Sequence, residues 1–281
     1  MDLLLPVALT PRKLMHFLAA SSLSKTFSVV FGVGLLFGGS AFAAPAGLTS
    51  SQSCPVELTK ATQLLLVSTN NMSTSQAHLR LFELDASSNV WRMLEQTKLA
   101  AVGRNGLAWS WVSQEFARAN ESIKSEGDGK TPAGLFRIGD AFGFGPSQID
   151  GYIRLIPGQH LCVDDPASSY YNKIVSAYPR PPGLRGEEMG SISLYRKGFF
   201  IDYPTNAERR AGSCIFIHVW RSSMKGTNGC IAAAQSTVEQ LHRWIRPKNA
   251  VIAILPQREV TRIEECLNLN DRKTIKSQHT K

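Results

Sequence analysis

No stretch of the 281-residue sequence is apolar for the roughly 20 residues that a membrane-spanning helix needs. The run from Phe27 to Phe37 (FSVVFGVGLLF) is shorter than that and is broken by glycines. Cysteine is scarce, at five, and no Cys-x-x-Cys occurs, which argues against a thioredoxin-type redox site or a zinc ribbon. Gly-x-Ser-x-Gly is also missing, so a serine-hydrolase elbow lacks its signature. Gly129-Lys130-Thr131 has the tail of a phosphate loop, but Lys124 stands where that loop needs its first glycine and Pro132 follows at once. No internal repeat marks a solenoid. Charged residues make up only 19%, and acids are the minority: Lys+Arg 31 against Asp+Glu 22, a formal +9. The excess suits a polyanionic neighbourhood. It does not argue for nucleic acid, because no basic-aromatic motif accompanies it.

What is present describes an ordinary globular chain. Hydrophobic residues are 43%, with 22 Gly and 14 Pro, a composition suited to strands and turns. The first forty-odd residues read as an export signal: a basic flank (Arg12, Lys13, Lys25), the short apolar run, then Ala41-Phe42-Ala43 before Ala44-Pro45. The basic region is long, and Met15 offers an alternative start to Met1. Cleavage after residue 43 removes three basic residues and Asp2, leaving +7, and leaves no stable membrane span. Export places Cys54, Cys162, Cys214, Cys230 and Cys266 in oxidising conditions, where pairs are expected and one thiol is left over. Four cysteines allow three connectivities. One of them staples the two ends through Cys54–Cys266 and pairs Cys162 with Cys214.

The periodicity predicts strands at 64–67, 79–84, 90–94, 136–138, 152–156, 192–195, 199–201 and 250–255, with Gly, Pro, Asp and Asn clusters between them. Cys214 to Trp220 (CIFIHVW) reads as a central strand buried on both faces. Ser236-Thr237-Val238-Glu239 has the spacing of a capping box before a short helix that Pro247 ends. The expected organisation is a signal peptide (1–43), an N-terminal leader (44–63), one β-rich catalytic domain (64–256) and a C-terminal tail (257–281).

His160-x-Cys162-x-Asp164-Asp165 has the residue types of a metal site but none of the common zinc spacings, so a strand running into a turn is the better reading. The informative segment is Cys214 to Ala234, CIFIHVWRSSMKGTNGCIAAA. It places His218 at the exit of a buried strand, then a polar turn, then Cys230 behind Gly229. A nucleophilic thiol needs a base, a group that orients the base, and backbone N–H donors for the oxyanion. His218 supplies the base, and the Gly226–Gly229 stretch gives the slack for imidazole and sulfur to meet. Gly229 and Cys230 offer consecutive amides for the oxyanion.

His218 followed by Thr227-Asn228-Gly229-Cys230 resembles the signature of the L,D-transpeptidase (YkuD-type) catalytic family, a bacterial exported branch. Gly103-Arg104-Asn105-Gly106, the stretch Glu126 to Gly134 (EGDGKTPAG) and Cys162-Val163-Asp164-Asp165-Pro166 agree with it. The match covers roughly residues 64–256. Two positions depart: many members carry His where Asn228 stands, and Arg or Asn where Ala232 stands. Neither is the base.

The resemblance implies a mainly β fold, a β-sandwich of mixed sheets with one or two short helices, and peptidoglycan stem peptides as partners. Cys230 then attacks the third stem residue, expels the terminal D-amino acid and forms a thioester that an amine acceptor captures. His218 is the general base and acid, the Val219 carbonyl orients it, the Gly229 N–H holds the oxyanion, and Arg221, Thr227 and Asn228 contact substrate. Carbapenem sensitivity follows from the same thioester chemistry, and no metal or organic cofactor is needed. Cys230 becomes the unpaired thiol, expected to alkylate fast near neutral pH. The alternatives are an L,D-carboxypeptidase that uses water as acceptor, and a non-catalytic peptidoglycan-binding module with an inert Cys230.

Overall fold

The computed structural model describes residues 54–94, 97–176, 178–247 and 249–267. The expected export signal, the first half of the leader (44–53) and residues 268–281 lie outside the described residues. A one-turn helix, α1 (Val56–Thr59), precedes β1 (Gln63–Thr69), β2 (Gln76–Asp85), β3 (Val90–Met93), β4 (Lys98–Ala101) and β5 (Leu107–Trp109). The long β6 (Thr131–Gly143) is followed by four short strands: β7 (Ile153–Arg154), β8 (His160–Cys162), β9 (Ile174–Ser176) and β10 (Glu187–Glu188). Then come β11 (Lys197–Asp202), β12 (Phe216–Val219), β13 (Ile231–Ala233), α2 (Gln235–Trp244), β14 (Ala250–Pro256) and α3 (Gln257–Cys266).

The chain is mainly β with mixed pairing, and its main ladder closes on itself. Its order is β1-β14-β6-β11-β12-β13-β4-β2, and β2 pairs back onto β1. Closure leaves the ring itself without open edges, and β3 extends it as an outer strand on β2. Closure also explains why β1 (QLLLVST) and β14 (AVIAILP) are buried at every position rather than alternating. One face of each looks into the core, and α3 packs over both strands from outside. Trp109, Phe82, Phe136, Phe142, Phe199 and Phe216 are the largest fully buried side chains. A small separate sheet, β10-β8-β9, stands beside the main ladder.

Two bridges tie these parts together. Cys54–Cys266 joins the start of the described chain to the end of α3, and Cys162–Cys214 joins the small sheet to the approach of β12. Cys230 is the free cysteine among the described residues.

Local expectations differ from the structure in three places. Residues 192–195 form 3-10 turns instead of a strand, with the Tyr195 N–H donating to the Ile192 carbonyl at 2.8 Å. The helix after β13 starts at Gln235 with Ala234 as its N-cap, so Ser236 lies inside it rather than capping it. The chain passes from β13 into α2 with one residue between them, and that junction overrides the local cap preference. Residues 257–266, expected as tail, form α3, which buries Val260 and Ile263. Its N-cap is Pro256, so the sequence carries no polar start signal there.

Candidate active site

β12 and β13 are parallel neighbours, so the chain must leave one strand end and return to the start of the next. Residues 220–230 make that return, and they carry the Cys-containing loop. The register sets Ile217 against Ile231 and His218 against Ala232. One step back puts Cys230 beside Phe216, so by the two-residue alternation of strands His218 and Cys230 share a face. The small Ala232 leaves room beside the imidazole.

His218 is 5% exposed, and its Nδ1 lies 2.9 Å from the Val219 carbonyl oxygen. A carbonyl only accepts, so Nδ1 carries the proton and Nε2 keeps its lone pair. Burial pushes the imidazole pKa down to about 4, against the smaller opposing effect of the Val219 bond. At neutral pH the ring is an uncharged base. Tyr195 packs edge-on against it, with ring centroids 5.2 Å apart. The Tyr195 hydroxyl in turn donates to the Glu187 carboxyl, whose pKa burial raises.

Cys230 is 8% exposed, and its thiol donates to the Cys214 carbonyl at 3.5 Å. Burial, then the nearby Glu187 carboxylate, push the thiol well above its ordinary range; the Phe216 N–H and the Lys124 ammonium pull it back less. The resting pair is therefore neutral thiol and neutral imidazole. A buried, protonated sulfur reacts when a substrate and base draw its proton away, so burial weighs against the fast alkylation near neutral pH expected of a catalytic Cys230.

Three sequence motifs converge to hold the Cys230 loop. The Cys230 carbonyl accepts from Thr227 Oγ1 at 2.6 Å and from Thr131 Oγ1 at 3.2 Å. Thr131 Oγ1 also accepts from the Gly103 N–H at 2.8 Å. The Thr227 N–H donates to Val102 and the Arg104 N–H donates to Thr227, each at 2.8 Å. The approach is close enough to require glycine: a Cβ at Gly226 would lie 2.5 Å from the Arg104 Cα, and one at Gly103 would lie 2.4 Å from the Gly129 oxygen. So Gly103–Gly106, Gly127–Thr131 and Gly226–Cys230 form one support. Gly129-Lys130-Thr131 is no phosphate loop. Asp128 Oδ1 takes the Lys124 ammonium at 2.6 Å and the Lys130 N–H at 2.8 Å, which closes the turn on itself.

Replacing Thr131 by Val keeps the shape but strands a buried N–H, so stability should fall by about 1–3 kcal/mol. Chemical denaturation reads the loss, and an unchanged midpoint would show that the hydroxyl contributes nothing.

A cleft of about 780 Å³ opens over His218 and Cys230. Arg221, Thr227, Asn228 and Gly229 all line it. Thr227 and Asn228 are already engaged within the protein: Thr227 braces the Cys230 loop, and Asn228 Oδ1 accepts from Arg104 Nη1. The Gly229 N–H donates to Thr227 Oγ1 at 3.1 Å, while the Cys230 N–H has no acceptor among the described residues. The segment from His160 to Asp165 is β8 and the loop that leaves it, as its reading as a strand running into a turn expects. Cys162 is in a disulfide, and His160 Nδ1 accepts from the Ile156 N–H at 3.0 Å.

Sequence reasoning assigned no role to Tyr195, Glu187, Thr131 or Arg104. Thr131 and Arg104 stand inside the quoted motifs and were findable there. Tyr195 and Glu187 carry no local signal, since the small sheet and its disulfide bring them in.

The family model described as the L,D-transpeptidase catalytic domain (YkuD) matches residues 72–254. Among solved structures, Bd1075 of Bdellovibrio bacteriovorus aligns with 75% of this chain and 56% of its own length, at 15% identity and a TM-score of 0.36. The chain thus spans a little over half the length of that structure. No curated protein matches.

Proposed function

Because the chain belongs to the L,D-transpeptidase catalytic-domain (YkuD) family, we propose that it is a peptidoglycan L,D-transpeptidase working through a Cys230 thioester in the cell envelope. The observation that carries this reading is the shared cleft of Cys230 and His218, with the imidazole held by the Val219 carbonyl in the tautomer that leaves Nε2 basic. Two disulfides fit an oxidising, exported setting.

In the first half-reaction the sulfur bonds to the stem-peptide carbonyl carbon while its proton passes to His218 Nε2. The Cys230 N–H is placed to meet the developing oxyanion, and the Gly229 N–H joins only by releasing Thr227. The carbon–nitrogen bond then breaks, and His218 returns the proton to the leaving D-amino acid amine. In the second half-reaction an acceptor amine attacks the thioester and gives its proton to His218. The carbon–sulfur bond breaks, and the thiolate recovers the proton.

Incubation with tetrapeptide muropeptides, followed by mass analysis, tests the reading. Cross-linked dimers with release of a D-amino acid are expected. Shortened monomers alone would make the chain a carboxypeptidase, and an unchanged pool would leave a binding module.

A further inference from the structure

The side of the cleft formed by the β4–β5 loop carries a cation with an unusual footing. The backbone of Arg104 is fixed to the Cys230 loop at three points: its N–H donates to the Thr227 carbonyl, Gly103 bridges to Thr227, and Gly226 packs against its Cα. Its guanidinium lies over Gly129, where a Cβ would come within 3.0 Å of Arg104 Cζ. One Nη donates to Asn228, two residues before the thiol. Among the described residues no carboxylate pairs with it. Of the acids that line the cleft, Glu126 is held by Tyr171 and Ser213 and Glu187 by Tyr195, while neighbouring Asp128 takes Lys124; Asp164 also lines the cleft but makes no ion pair with Arg104. Arg221 and Lys225, on the exposed return from β12, also line the cleft without an ion pair among the described residues.

A guanidinium is a planar fork that takes a carboxylate through two parallel N–H bonds. One held by its backbone beside a nucleophile loop, with a single neutral partner, is pre-organised for an anion from the substrate. Given the functional reading above, on which this step rests, the substrate brings such an anion. The leaving D-amino acid ends in a free carboxylate, one residue beyond the carbonyl that Cys230 attacks. We propose that Arg104 binds this terminal carboxylate and so selects stem peptides by their free acid end. Arg104 is a substrate-binding residue here, distinct from the thiol and its base.

The test compares a tetrapeptide stem with its C-terminal amide, following acyl-enzyme formation on the full chain by intact mass. The natural chain should prefer the acid by about tenfold or more. Arg104→Gln keeps a donor for Asn228 but removes the charge, and it should bring the acid-to-amide ratio to within about threefold of one. Arg104→Lys should restore part of the preference. If Arg104→Gln slows both peptides equally and keeps the ratio, Arg104 only supports Asn228 and the proposal fails. A natural chain that acylates with both peptides alike overturns this inference and leaves the functional reading standing. One that acylates with neither overturns both.

Discussion

Cys230→Ala should abolish acyl-enzyme formation with a carbapenem and with a stem peptide alike, while the fold survives. The change deletes one sulfur at the head of β13. What it loses is a weak bond to the Cys214 carbonyl at 3.5 Å and some packing, a cost of about 1 kcal/mol. Both disulfides remain, because Cys230 belongs to neither. The two nucleophile-bearing residues next to it in the described cleft, Cys214 and Ser213, are already engaged. Cys214 is oxidised, and the Ser213 hydroxyl already donates to Glu126 at 2.7 Å. The check is intact mass after incubation, followed by peptide mapping, with far-UV circular dichroism to confirm folding. A variant that still gains the drug's mass on the 230 peptide would falsify the assignment. An adduct on Ser213 would move the chemistry one loop away and undo the role given to β13.

The parts of the site that were legible in the sequence are those whose chemistry is local. His218 ends an apolar strand, and Cys230 follows a glycine-rich turn. Both facts survive in any fold that pairs β12 with β13, and the crossover between parallel strands had to lie where the polar turn stood. The bridge Cys162–Cys214 was reachable by position, though sequence alone left other pairings open. Burial was not legible. Eleven residues of slack between His218 and Cys230 suggest an accessible thiol on a loop edge. The packed cluster of Phe142, Tyr195, Phe216 and Cys214 around it makes a dry one. That cluster comes from three separate stretches, so no window of sequence displays it.

The same distinction runs through the fold. β1 and β14 show themselves as apolar runs, but their parallel pairing, with Gln63 beside Ala250, is a contact between opposite ends of the domain. The strand expected at 192–195 has the right residue types, and Gly190 and Ser191 before it turn the chain into 3-10 geometry instead. That turn is what places Tyr195 edge-on to His218. A local misreading thus hid a residue that shapes the base.

His218→Ala should slow acylation by about 10²–10⁴-fold, the range a positioned general base supplies. The upper half of that range is expected, because burial holds the thiol protonated and the nearby Glu187 carboxylate is already engaged by the Tyr195 hydroxyl. Lys124, the cation that acts on the thiol, is tied to Asp128 and Ser125. The pH profile separates this role from a packing defect. Burial sets the imidazole pKa near 4, below its ordinary 6.5, so the ring stays neutral and able to accept a proton well into the acid range. Acylation by the natural chain should hold steady from neutral pH downwards and fall only as pH approaches about 4. The stability linked to the same group runs in the same direction. It is fully present above 6.5, where both folded and unfolded rings are neutral, and is lost as pH falls towards 4. In the alanine variant the acid limb of the acylation rate should vanish along with the rate. Stopped-flow acylation across that range measures both. A fall of less than tenfold, or an acid limb that persists in the variant, would mean that another group draws the proton from Cys230.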